Sequence, residues 1–151
     1  MDWTPEFAAL CEIRLTLGAP VEVRTGPASE RFIPVLGGTV TGERLSGEIL
    51  PLGGDRQADY GPFATIAATQ FIRTHDGATI AFDNTGIRAA APEVKKALRA
   101  GDDVPFTDYY MRFACSLRTD DAGYDWLNTR LFFAAGAKRP DCVELALFEL
   151  L

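Results

Sequence analysis

Tyr110, Arg112, Trp126 and Asn128 are the residues whose types and spacing point most directly to chemistry. They lie in the stretch Thr107 to Phe133, which reads as two arms around a turn at Thr119-Asp120-Asp121-Ala122-Gly123. With a period of two, Tyr110, Arg112, Ala114, Ser116 and Arg118 share one face of the first arm, opposite Tyr109, Met111, Phe113, Cys115 and Leu117. On the second arm Tyr124, Trp126 and Asn128 oppose Leu127, Leu131 and Phe133. If both arms are strands, a phenol, a fixed cation, an indole and an amide come within reach of one small carbonyl or carboxylate. The plain alternative is a polar outer face; the reading adopted turns the Tyr-Arg-Asn set inward.

An arginine at position 112 buried in this way needs an anionic partner, and Asp55 or Glu48 could supply it. Asp55 follows Gly53-Gly54 and could instead act as a general base if burial raises its pKa. Turn aspartates more often cap backbone amides, so that reading stays open beside it. Tyr124 and Trp126 offer stacking surfaces, and with Arg73 and Glu48 complete the expected substrate-binding set around Tyr110, Arg112, Asp55 and Asn128. His75 is the sole histidine, and Asp76-Gly77 beside it predicts an exposed hairpin tip.

These residues must be positioned by strands. Phe7 to Leu17, Val21 to Arg24, Arg31 to Val35, Glu43 to Leu50, Arg56 to Tyr60 and Phe63 to Thr74 follow one another with glycine- and proline-rich breaks. Pro34 marks an edge or a bulge, and frequent glycines between Gly37 and Gly54 imply a strongly curved sheet. A strand from Ala78 to about Arg88 leads to the single helical segment, Pro92 to Ala100, with proline in its first turn and Gly101 as its stop. After the two arms, Val143 to Leu151 closes the chain as an apolar strand. The expectation is an all-β fold: a single closed antiparallel β-barrel of about eight to ten strands with one short helix, formed by residues 1 to 151 as one domain, with an open sandwich as the second reading.

Four segments resemble the bacterial and fungal family known as domain of unknown function 3237: Gly42-Glu43-Arg44-Leu45-Ser46-Gly47-Glu48-Ile49-Leu50-Pro51-Leu52-Gly53-Gly54-Asp55, Arg73-Thr74-His75-Asp76-Gly77-Ala78-Thr79-Ile80, Tyr109-Tyr110-Met111-Arg112, and Trp126-Leu127-Asn128-Thr129-Arg130-Leu131-Phe132. The resemblance spans nearly the whole chain. It implies a small antiparallel β-barrel and no general activity. One departure is Arg56, where the family pattern tends to carry Trp, so any ligand preference resting on that ring is not implied here.

Composition narrows the function classes. The 151 residues are 47% hydrophobic and 24% charged, with a net charge of −6 and the cations scattered along the chain, which argues against a nucleic-acid partner. No apolar run is long enough to span a membrane and no signal-like start is seen, which predicts a cytoplasmic protein. Cys11, Cys115 and Cys142 are odd in number and without metal-binding spacing, so buried thiols are expected and no metal site. Nucleotide-binding and serine-hydrolase motifs are absent, so no cofactor is expected. Two readings follow: a cofactor-independent enzyme that isomerises, cyclises, hydrates or cleaves a small apolar or aromatic carbonyl compound, or a non-catalytic binding or carrier protein for a small apolar metabolite. In either case the partners expected are a small-molecule ligand and a second copy of the chain, as a homodimer.

Overall fold

The computed structural model describes residues Met1–Leu151. Alternation of apolar and polar side chains builds ten strands: β1 (Phe7–Leu17), β2 (Val21–Thr25), β3 (Ala28–Thr41), β4 (Gly47–Ile49), β5 (Gly54–Asp59), β6 (Phe63–Thr74), β7 (Thr79–Ala89), β8 (Tyr110–Arg118), β9 (Phe132–Lys138) and β10 (Val143–Leu150). One helix, α1 (Pro92–Arg99), interrupts them, with Pro92 in its first turn, Glu93 beside it and Lys96 and Arg99 in the last turn, as the helix dipole favours.

Neighbouring strands run antiparallel in the order β1-β10-β9-β8-β7-β6, then β4 and β5 end to end in one position, then β3, which returns to β1. The sheet therefore closes on itself with eight strand positions, and β1 makes the closure by pairing with both β10 and β3. The expected closed antiparallel barrel is what forms. β3 is long because it serves two neighbours on one side: β2 pairs with Ala28–Phe32 and β1 with Val35–Thr41. Pro34 sits at the handover. Its carbonyl accepts from Gly18 N at 2.8 Å, and its missing N–H falls in the gap between β2 and β1, where no ladder bond is lost.

Between β4 and β5 the chain breaks at Leu50-Pro51-Leu52-Gly53. Gly53 has φ +79°, and a Cβ there would lie 2.0 Å from the Thr69 carbonyl oxygen on β6, so only glycine allows this strand position to be shared. On β1 the register slips between Ala9 and Cys11, and the consecutive Leu10 and Cys11 are both buried.

The interior is packed with side chains. Ile72, Ile80, Phe82, Leu117, Phe132 and Leu147 are almost completely buried within one apolar cluster. Phe113 fills the space left by two glycines: a Cβ on Gly86 would come 2.3 Å from its ring and one on Gly136 2.8 Å. The two barrel ends are closed differently. Leu45 and Leu127 plug one end, and α1 lies over the other through the buried Leu98.

The second expected arm, Tyr124 to Phe133, is not a strand. Ala122–Thr129 form a 3-10 segment, capped by the Asp121 carboxylate accepting from Gly123 N, and the next strand begins only at Phe132. A run of Asp-Asp-Ala-Gly gives the backbone a side-chain acceptor that competes with the sheet.

Candidate functional site

The parity of β8 decides where the expected site residues go. Met111, Phe113, Cys115 and Leu117 are buried, so Tyr110 and Arg112 face outward, and Tyr110 is 54% exposed. Arg112 donates to the Met111 carbonyl at 3.0 Å and lies 5.5 Å from the Tyr110 ring on the outer surface. The inward orientation expected for this pair is thus corrected: an eight-position barrel is filled by one set of alternating side chains, and burying four apolar residues excludes the opposite set.

Trp126 and Asn128 stand on the 3-10 segment and not across from β8's polar face. Asn128 spans its own ladder, accepting from Thr119 N at 2.9 Å and donating to Thr119 O at 2.8 Å, which clamps the segment to the end of β8. The Trp126 ring lies under Arg44 at 4.0 Å, and Arg44 pairs with the buried Glu149 at 2.8 Å, at the end plugged by Leu45. Tyr124 donates to Asp76 at 2.8 Å, and this raises its pKa. Arg73 and Glu48 are neighbours in register on the outer face of β6 and β4, with Arg73 bonded to Thr79 at 3.1 Å. None of these seven expected residues joins Asp55. His75 is exposed at the β6–β7 turn, as expected of a hairpin tip.

Asp55 does turn inward. It belongs to β5 and not to a turn, and its carboxylate caps no amide: Oδ2 accepts from Gln57 Nε2 at 2.9 Å. Burial pushes its pKa up, and this outweighs the opposing hydrogen bond from Gln57 and the charges of Arg88 and Arg31. Gln57 in turn accepts from Arg88 Nη2 at 3.4 Å, so a polar chain runs from Asp55 through the buried Gln57 to Arg88. In register with Asp55 across Ala68, Asn84 donates to Gln70 at 3.0 Å, and both are buried.

Arg88 lines a cleft of about 30 Å³ between the barrel mouth and α1, together with Arg31, Lys95, Arg99, Lys138 and Asp59. Desolvation lowers the pKa of Arg88, and the nearby Arg31 adds to it; desolvation with Arg88, Arg31 and Arg99 does the same to Lys138. Asp59 is the one acidic residue of the lining and is paired with Lys95 at 2.8 Å and with Arg99. Burial raises its pKa, but the Lys95 hydrogen bond, the Gly61 N–H and the two cations bring it down to about 2. A larger concavity of about 480 Å³ lies on the outer face of β1, β9 and β10, with Phe106 at its rim. Its two arginines are paired, Arg14 with Asp141 and Glu144 and Arg139 with Asp103 and Glu144, which leaves no free cation and no buried unsatisfied donor there. The barrel mouth is therefore the candidate site.

Arg31, Gln57, Arg88 and Lys138 were not among the residues singled out from the sequence. Their signal was present: Arg31 alternates with Ile33 and Val35, Gln57 with Asp55, Arg88 with Phe82 and Ile80, and Lys138 with Ala134. A charge on the apolar parity of a strand marks a polar group that the fold must bury.

A closed small barrel with a buried carboxyl and a cationic mouth is the class that fold and site define. Residues 5–150 match the family described as protein of unknown function (DUF3237), and the chain belongs to it. A UPF0311 protein of Rhodopseudomonas palustris strain TIE-1 is 33% identical over 127 residues, 83% of either chain. Among solved structures, a conserved protein of unknown function from Rhodopseudomonas palustris superposes with a TM-score of 0.92 at 31% identity over the full length of both chains. An enzyme from Penicillium herquei shares the fold, with a TM-score of 0.75 at 17% identity over 100% of this chain and 98% of that one.

Proposed function

We propose that this protein is a cofactor-independent acid–base catalyst acting on a small carbonyl compound at the barrel mouth, with Asp55 as the group that gives and takes the proton. The observation that carries this reading is the inward-facing Asp55 carboxyl, bonded to Gln57 at 2.9 Å and with its pKa raised by burial, an environment suited to a group that gives and takes a proton. Gln57 orients that carboxyl, and Arg88 behind Gln57 places positive charge where an oxyanion or enolate would develop. A barrel of this fold described as an enzyme in Penicillium herquei is consistent with catalysis on such a scaffold, at the level of fold alone.

The carrier reading is weaker. A carrier for an apolar metabolite needs an enclosed apolar cavity, whereas here the interior is occupied by Phe82, Phe113, Phe132 and the aliphatic cluster. Assembly as a homodimer belongs to the same proposal, through the outer face where Phe7 and Phe133 pack edge to face at 5.8 Å while remaining exposed. Light scattering that gives the monomer mass at high concentration would remove that part.

The test of the activity is proton exchange. Pyruvate, acetoacetate and 2-oxoglutarate in D₂O should lose α-proton NMR signal faster with the protein present, and Asp55→Asn should abolish the acceleration. Absence of exchange across the panel, or exchange undiminished in Asp55→Asn, overturns the reading.

A further inference from the structure

The cationic cleft goes further than the acid–base reading, on which its role in turnover rests. The chain as a whole carries a charge of −6, yet five cations and a single carboxylate line this one cleft. Two of the five, Lys95 and Arg99, are taken up by Asp59. The other three, Arg31, Arg88 and Lys138, form no salt bridge, although each is at least partly buried. Lys138 is spent on the fold: its Nζ donates to the Leu98 carbonyl at the end of α1, at 2.7 Å.

The two guanidiniums are underused. Arg31 Nε is buried with no hydrogen-bond partner, the one such side-chain atom of the molecule, and Arg88 has only the long 3.4 Å bond to Gln57. Buried donors are normally satisfied, and like charges brought together inside a protein are costly unless an anion sits between them. The nearest other carboxylates do not fill the need. Asp55 is bonded to Gln57, and Glu22 on β2 accepts from the Ser29 hydroxyl.

We propose that Arg31 and Arg88 bind the carboxylate of a small organic acid, with Lys138 as a flanking cation, so that the substrate of the barrel is a carboxylate-bearing carbonyl compound. A guanidinium presents parallel N–H donors that match the two oxygens of a carboxylate, and about 30 Å³ has room for that group while the rest of the molecule projects toward the opening. The carboxylate would then join the polar chain at Arg88, which leads through Gln57 to Asp55, the proton-carrying group.

The probes are benzoate, its neutral isostere benzamide and inorganic phosphate, titrated by calorimetry at constant ionic strength in chloride-poor buffer. Benzoate is expected to bind saturably to the wild-type protein and benzamide not to bind. Arg31→Gln and Arg88→Gln should each weaken benzoate tenfold or more, and Arg88→Lys should retain part of the affinity. The wild-type comparison of benzoate with benzamide needs no variant to fold, so the proposal stays exposed even if an arginine substitution unfolds the chain. Equal binding of benzoate and benzamide, no saturable benzoate binding, or phosphate binding as tightly as benzoate overturns it. Asp55→Asn separates the two readings: retained benzoate binding with lost proton exchange supports both. Exchange that depends on Asp55 without benzoate binding removes the anion site alone, and benzoate binding without exchange removes the acid–base role alone.

Discussion

At the scale of single residues, stability and chemistry divide along strand parity. Asp55 has a folded pKa above its ordinary value of 3.8 because burial disfavours its charge. The folded state therefore holds this proton more tightly than the unfolded chain, and the contribution of Asp55 to stability falls as pH rises from about 3.8 through the raised value. Asp55→Asn should accordingly melt at the same temperature as the wild type or higher at pH 7 to 8, with the difference closing below about pH 4. Thermal melts across that range check it, and a variant destabilised at pH 8 alone would reverse the sign. Phe113 makes the contrasting case, since its ring occupies the space over Gly86 and Gly136. Phe113→Ala should cost about 3–5 kcal/mol through the cavity it leaves, and Arg112→Ala on the outer face about 0.5 kcal/mol or less, both read by urea denaturation.

At the scale of elements, α1 is the part of the site held by charge. Lys95 and Arg99 reach from the helix to Asp59 at the end of β5, Lys95 also donates to the Gly61 carbonyl at 2.6 Å, and Lys138 of β9 holds the helix C-terminus. Asp59, with a folded pKa of about 2, contributes stability that is fully present above its unfolded value and is lost as pH falls from about 5 toward 2. Its side chain is only 9% exposed, but Arg99 is solvent-facing, so screening reduces the net effect to about 1–2 kcal/mol. Asp59→Asn should lose that amount at pH 7 and flatten the acid limb of the stability profile. Denaturant titrations at pH 3 and pH 7 measure both.

At the scale of the whole molecule, closure joins the two ends of the chain: Phe7–Leu15 of β1 lie along Val143–Leu150 of β10 and also along β3. Such pairing is remote in sequence, and no element of the ring can leave without breaking two ladders. β2 is the exception, because it pairs with β3 alone and all five of its residues are exposed. Hydrogen exchange should therefore release the Val21–Thr25 amides first, while β6 and β7, paired along eleven residues, exchange last and together. Early exchange in the centre of β6 would contradict this view of the barrel.

Local alternation carried most of the architecture. The strands Phe7–Leu17, Phe63–Thr74 and Tyr110–Arg118, the helix after Pro92 and the turn at Asp76-Gly77 all follow from spacing and turn chemistry that act over a few residues. The family resemblance placed the same barrel around them. The sequence also marked Asp55 as a possible base. What it left open was which of two alternating faces of β8 turns inward, because Tyr110 and Arg112 on one side and Met111 and Phe113 on the other both form regular sets. That choice is collective: an eight-position barrel has room for one layer of side chains, and burying the apolar set there gains more than burying a cation and a phenol. The same closure gathers Arg31, Asp59, Arg88 and Lys138 from four strands into one cleft, a meeting that no spacing along the chain encodes.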